Sequence, residues 1–208
     1  MALEPAKGGP MRASLLGAAV AAAIGAMTIL LGATHAEAGE MKKVSCSTIE
    51  MKYTGGGDMA CYSYDDQGNQ TEAVTQRIVV KTGSSEFVVS YTASKFKTYL
   101  LMRPVGSIVE GQYFADTDNW QLSTKYAGFE IAAFNGYESS GSKPVLCAAF
   151  ARFGGNPGNY EFDSGVGYKN LADGIYCALS GQAALINPID NLYRVVEDAL
   201  GKVAFPPE

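Results

Sequence analysis

Histidine is what this chain most conspicuously lacks. The 208-residue sequence holds one, His35, and it falls in an apolar leader-like stretch rather than in the body of the protein. Beyond that stretch there is no imidazole. Ser-His-Asp and Cys-His arrangements are excluded there, as are zinc, copper and haem sites built on His. Cysteine is sparse, with four in all, and none has the close C-x-x-C spacing of a structural zinc site. Gly154-Gly155-Asn156-Pro157-Gly158 lacks the Gly-Lys-Ser/Thr ending of a phosphate loop. Basic residues are outnumbered, 16 Lys and Arg against 21 Asp and Glu, and the charges are scattered. Nucleic acid and anionic membrane surfaces are therefore disfavoured as partners. Carboxylates, Tyr, Lys, Arg and hydroxyls are the chemistry that remains, and no cofactor or metal is expected.

The leader-like stretch reads as a secretory signal. Arg12 opens it, Ala13 to Thr34 carries no charge, and Ala36-Glu37-Ala38 places small residues where a signal peptidase reads them. Met11, directly before Arg12, is an alternative start. The apolar run is long enough to span a bilayer, but its Ala and Gly content makes it a weak span, and the cleavage site argues for removal. The expected organisation is a signal at residues 1–38 and one exported domain at 39–208, periplasmic or secreted, with no membrane span after cleavage.

Cys46, Cys61, Cys147 and Cys177 all lie in that domain. An even count in an exported chain favours two disulfides. Three pairings are possible, and the local one, Cys46 with Cys61 and Cys147 with Cys177, is preferred. Loop-closure entropy assigns about 3 kcal/mol to the shorter loop and somewhat under 4 kcal/mol to the longer.

Strand signals dominate the domain. Residues 43–64 read as a hairpin about Thr54-Gly55-Gly56-Gly57-Asp58, and Asp65 to Gln70 as a polar loop. Residues 77–91 form a sharper one. Turning the chain at Thr82-Gly83-Ser84-Ser85 sets Lys81 opposite Glu86, Val80 opposite Phe87, Ile78 opposite Val89 and Arg77 opposite Ser90. That register sorts one mostly apolar and one mostly polar face, as a half-buried antiparallel pair requires. Further strands are expected at Thr98 to Met102, Ser107 to Ala115, Trp120 to Tyr126 and Phe129 to Phe134, with Asp116-Thr117-Asp118-Asn119 as a turn. Trp120, Leu122, Thr124 and Tyr126 are expected on one side of their strand. Val145 to Phe153 and Gly174 to Leu179 are Ala-rich and fit either strands or short buried helices. Near the C-terminus, Asn187 suits a helix cap, Pro188 its first position and Gly201 its exit. Ile189, Leu192, Tyr193, Val196 and Leu200 form its apolar stripe. The expected fold class is mainly β, an antiparallel sandwich or barrel-like domain with one C-terminal α-helix and two disulfides.

Functional signals are weaker. Asp116 to Asn119 resembles the start of a calcium loop, but the Gly and the distal acid that such a loop needs are missing. Glu161 and Asp163, alternating in a Gly-rich stretch, are admissible as a carboxylate pair for glycoside hydrolysis, with Glu130 and Glu138 as equally admissible partners. Tyr137, Tyr160 and Tyr168 lie beside Gly, Asn or Ser, a mixture found at recognition surfaces. Together with Glu161 and Asp163 they are the expected ligand contacts. The segment from Gly154 to Asn170 is the expected binding loop, held at its base by the second disulfide. The leading reading is a bacterial-type exported binding or envelope-associated module that recognises a glycan or protein partner, for instance a secreted hydrolase that it inhibits. The alternative is a carboxylate-dependent hydrolase acting on a polysaccharide.

Overall fold

The structure is a computed structural model and describes residues 41–65, 73–95, 100–101, 103–109, 116–137, 145–155, 158–159, 166–178 and 189–207. The expected signal, the expected Asp65 to Gln70 loop beyond Asp65, and the expected capping residues Asn187 and Pro188 lie outside them. In chain order the elements are β1 (Lys42–Val44), β2 (Lys52–Tyr53), β3 (Asp58–Asp65), β4 (Ala73–Lys81), β5 (Ser85–Ser94), β6 (Leu100–Leu101), α1 (Val105–Val109) and β7 (Asp116–Tyr126). They continue with β8 (Phe129–Tyr137), β9 (Val145–Gly154), β10 (Gly158–Asn159), β11 (Val166–Tyr168), β12 (Asn170–Ala178), α2 (Ile189–Leu200) and β13 (Val203–Ala204).

One antiparallel sheet of eight strands carries the domain, in the order β1-β3-β4-β5-β12-β9-β8-β7. The two Ala-rich runs that fit strand or helix are strands, β9 and, as far as Ala178, β12, neighbours in the interior of the sheet. Alternation in the β4–β5 hairpin sets the expected register: Lys81 faces Glu86, Val80 faces Phe87, Ile78 faces Val89 and Arg77 faces Ser90. Small partner sheets form where β6 joins β10 and β11, and where β13 returns to β2.

The sheet buries both faces. Ile78, Val80, Phe87, Val89, Phe129, Ile131, Phe150 and Tyr176 form the first core with Leu192, Val196 and Leu200 of α2. Each of those three helix side chains is essentially buried, and each contributes about 1.5–3 kcal/mol by leaving water. Gly201 ends the helix as expected, its N–H donating to the Glu197 carbonyl at 2.8 Å. The chain then runs back across the first core. Arg152 lies over the rings of Phe129 and Phe205, 4.9 and 5.2 Å from their centroids.

The second core is Ala- and Val-rich and is covered by α1. Here Ser107 to Val109 depart from the strand expected over Ser107 to Ala115, whose remaining residues lie outside the described ones. Val105, Ile108 and Val109 are all buried, and only helical spacing brings residues i, i+3 and i+4 to one surface. The polar face of the β4–β5 hairpin is also drier than alternation suggests, since Glu86 and Ser90 are buried. Their partners explain how this is tolerated: Lys81 Nζ lies 3.6 Å from Glu86 Oε1, and Arg77 Nε donates to Ser90 Oγ at 2.9 Å. A buried charge or hydroxyl without such a partner would carry a desolvation penalty of several kcal/mol.

Two disulfides join Cys46 to Cys61 and Cys147 to Cys177. The first ties the segment after β1 to β3. The second links β9 and β12 at directly opposed positions in the middle of the sheet. Among the described residues no helix is long and apolar enough to cross a membrane.

The corner where β2, β13 and the end of α2 meet sets an alkaline limit on stability. Burial raises the Tyr53 phenol above its usual 10.0, against the opposing effect of the Lys202 charge. Lys202, hydrogen-bonded to Asp198, is raised above 10.5. Both shifts favour the protonated form in the folded state. Their contributions are therefore complete below the unfolded values and are lost as pH rises through the folded ones. Urea midpoints should hold steady up to about pH 9.5 and fall above about pH 10, with a shallower fall in Tyr53→Phe. An unchanged slope in that variant would remove Tyr53 from the explanation.

Candidate functional site

The β7–β8 hairpin contains the irregularity from which a site is built. It turns at Ala127 and Gly128, both at positive φ (47° and 84°), flanked by the pair Tyr126 and Phe129. This is the two-residue reversal whose twist matches antiparallel strands. From there the ladder runs regularly only for a few pairs. Its register shifts between Thr124 and Gln121, and again between Gln121 and Asp118.

Asp116 to Asn119 is therefore not a turn between strands, as expected, but part of β7 itself. Asn119 takes φ 52°, a left-handed conformation that Asn tolerates better than most residues. The shifts also break the expected sidedness. Trp120 packs into the second core and Tyr126 into the first. In an unbroken strand, residues six apart share a face, and here the inserted residues reverse that relation.

The bulge opens a pocket of about 350 Å³ beside the edge strand, between β7, β8, the start of β9 and the first residue of α2. Trp120 and Phe134 line it, but their rings, stacked with centroids 4.4 Å apart and planes 16° apart, pack into the second core on the opposite face of the sheet from Ala133, Leu146 and Ile189. The indole N–H donates to Thr117 Oγ1 at 3.1 Å. Gly106 of α1 lies so near the indole that a Cβ there would touch it at 3.8 Å. The indole is thus held from several sides. Ala133, Leu146 and Ile189 add apolar lining, and Asn119, Gln121 and Asn135 add three side-chain amides. Asn135 Nδ2 donates to Asp118 Oδ1 at 3.1 Å, which sets the orientation of that amide and leaves its oxygen as an acceptor. Not one of the eight lining side chains titrates near neutral pH. The pocket can donate and accept hydrogen bonds, and its described lining residues include no acid, base or nucleophile for general acid–base chemistry.

The residues singled out in the sequence fall elsewhere. Tyr160, Glu161 and Asp163 lie outside the described residues, as does Glu138. Tyr137 ends β8 opposite Asp116. Tyr168 pairs with Leu100 in the small sheet, and its ring packs on Phe153 with centroids 5.5 Å apart. The Gly154 to Asn170 segment contains β10 and β11, paired with each other at Gly158–Gly167 and Asn159–Val166. Tyr168 is not among the described residues that line the pocket.

Glu130 belongs to a row of residues in register from edge to edge of the sheet: Lys43, Tyr62, Arg77, Ser90, Asp173, Ala151, Glu130 and Lys125. Asp173 is buried in that row. The row carries charges of both signs, Lys43 and Arg77 towards one edge, Asp173 and Glu130 further in, and Lys125 directly opposite Glu130 at the other edge. No group of three His, Cys, Asp or Glu among the described residues is placed to hold a metal ion, and Asp118, part of the calcium-like run, is engaged with Asn135.

The pocket residues themselves escaped the sequence reading. Two signals pointed towards them without being joined: the polar run ending at Asn119 and the only Trp in the chain. Comparisons with protein-family models, with curated proteins and with solved structures find no match to this chain.

Proposed function

We propose that the protein is an exported, non-catalytic binding module that captures a glycan or an extracytoplasmic protein partner, with the β7 bulge pocket as its contact point. The observation that carries this reading is the pocket's lining. Three amide-bearing residues and several apolar ones line one cavity of about 350 Å³, a size within the range of small-ligand sites. The amides sit on or beside a rigid sheet rather than on a long loop, which favours a preorganised site. Two disulfides are compatible with a periplasmic or secreted location, and the signal read in residues 12–38 adds to that placement.

A second contact region is proposed at Tyr137, Tyr160, Glu161, Asp163 and Tyr168, where tyrosines and carboxylates are close in sequence. The hydrolase alternative differs in one testable respect: Glu161→Gln or Asp163→Asn would abolish turnover and leave folding intact.

The test of the binding reading is occlusion. Gln121 is exposed, so Gln121→Trp should change stability by no more than about 0.5 kcal/mol while filling the pocket mouth. The oxidised mature domain, starting near Gly39, is screened against a glycan array and a panel of purified envelope and secreted proteins. The ligand it selects should bind Gln121→Trp at least about tenfold more weakly. Unchanged affinity in the folded variant would move the site away from the bulge.

A further inference from the structure

We infer that the bulge pocket takes a neutral, hydroxyl-rich unit, a single uncharged sugar residue, in preference to an acidic or basic one. This inference rests on the pocket being the binding site. Charge is the first observation. Asn119, Gln121 and Asn135 are all uncharged, and the remaining lining is apolar. An acidic ligand entering there would give up hydration without meeting an opposite charge, and a basic one would meet no carboxylate among the described lining residues. The carboxylate nearest in the structure's bonding pattern, Asp118, already accepts from Asn135, and it would repel an acid.

Hydrogen-bonding capacity is the second. Each amide offers a carbonyl acceptor and an N–H donor, and a hydroxyl is both donor and acceptor. Neighbouring hydroxyls on a sugar ring can thus be met by one amide each. Asn119 and Gln121 flank Trp120 in the bulged stretch, and both are exposed. They approach from β7, whereas Asn135 approaches from β8.

The walls decide how the ring would sit. Phe134 stacks on the indole, and Gly106 sits in van der Waals range of it. The indole is therefore engaged in the second core and is not a free platform for face-on stacking. The apolar C–H surface of the sugar is placed against Ala133, Leu146 and Ile189, with its hydroxyl edge towards the three amides.

The experiment uses ¹⁵N-labelled oxidised domain titrated separately with methyl β-glucopyranoside, methyl β-glucuronide, glucosamine and the neutral peptide mimic N-acetylglycine N-methylamide. The neutral glycoside should shift the amide resonances of Asn119 to Gln121 and Ala133 to Asn135. It should bind about fivefold more weakly to Gln121→Ala, as the loss of one hydrogen bond implies. The acidic and basic sugars should be at least about tenfold weaker than the neutral one. Preference for a charged sugar or for the peptide mimic, seen at these same resonances, would overturn the ligand class and leave the pocket as the site. Shifts confined to other parts of the sheet, or none with any probe, would overturn the pocket itself.

Discussion

Gly174→Ala is expected to be the most damaging single-methyl change in the protein, destabilising it by about 4 kcal/mol or more. Gly174 sits in β12 at the middle of the sheet, between Val89 of β5 and Phe150 of β9. A Cβ there would lie 2.0 Å from the Val88 carbonyl oxygen and 2.7 Å from the Phe150 ring. Neither neighbour can yield easily. The carbonyl belongs to a paired central strand, and Phe150 is fully buried and packs against both Phe87 and Phe129. Relief would require breaking ladder hydrogen bonds or repacking the first core. Domains of this size typically have only about 5–15 kcal/mol of stability, so one methyl removes a large share. Gly83→Ala is the control, because a Cβ at that hairpin position meets nothing within 4 Å. Urea unfolding should show a large loss for Gly174→Ala and a change within about 0.5 kcal/mol for Gly83→Ala. A loss below about 1 kcal/mol at Gly174 would mean that the β5–β12–β9 packing is described wrongly.

Removing the central disulfide should have the next largest effect. Cys147 and Cys177 are 30 residues apart in sequence, against 15 for Cys46 and Cys61. The longer loop leaves the reduced unfolded chain more freedom, and the entropic model places the two losses at about 3.6 and 3 kcal/mol. Location widens that gap. Both sulfurs of the central bridge belong to fully or almost fully buried residues in the second core, so Ala at both positions also leaves a cavity. Cys46 is only partly buried, and its surroundings can relax. Urea unfolding of Cys147→Ala/Cys177→Ala should therefore show a loss of about 4–5 kcal/mol, and of Cys46→Ala/Cys61→Ala about 2–3 kcal/mol. The reverse order would place the greater constraint at the edge of the sheet. In the parent protein, alkylation without prior reduction should label no cysteine.

The features legible in the sequence were those written locally. Alternation from Arg77 to Tyr91 specified the β4–β5 register, because slipping it by one residue would turn Phe87 and Val89 away from the first core. The stripe from Ile189 to Leu200 specified α2 for the same reason, with a different period. The disulfide pairing followed chain proximity. The other features depend on partners distant in sequence. Glu86 and Ser90 look like surface residues until Lys81, Arg77 and the second core are placed around them. Val105 to Val109 is rich in β-branched residues, and only the surface it covers selects a helix over a strand. β13 exists because Val203 and Ala204 meet Tyr53 and Lys52, a pairing across most of the domain. The bulge in β7 was the costliest omission for function. It shifts register without any Gly or Pro to announce it, and the pocket arises from that shift. Asp116 to Asn119 drew notice as a polar turn, and the same polarity serves instead to hold Asn135 and to shape an irregular strand.

The binding reading meets its most direct test in a crystal structure of the oxidised mature domain with the ligand selected on the array. Ligand density bounded by Asn119, Gln121 and Asn135, against Ala133, Leu146 and Ile189, is the predicted result. Density over the row containing Tyr62 and Arg77, with the β7 bulge empty, would contradict it.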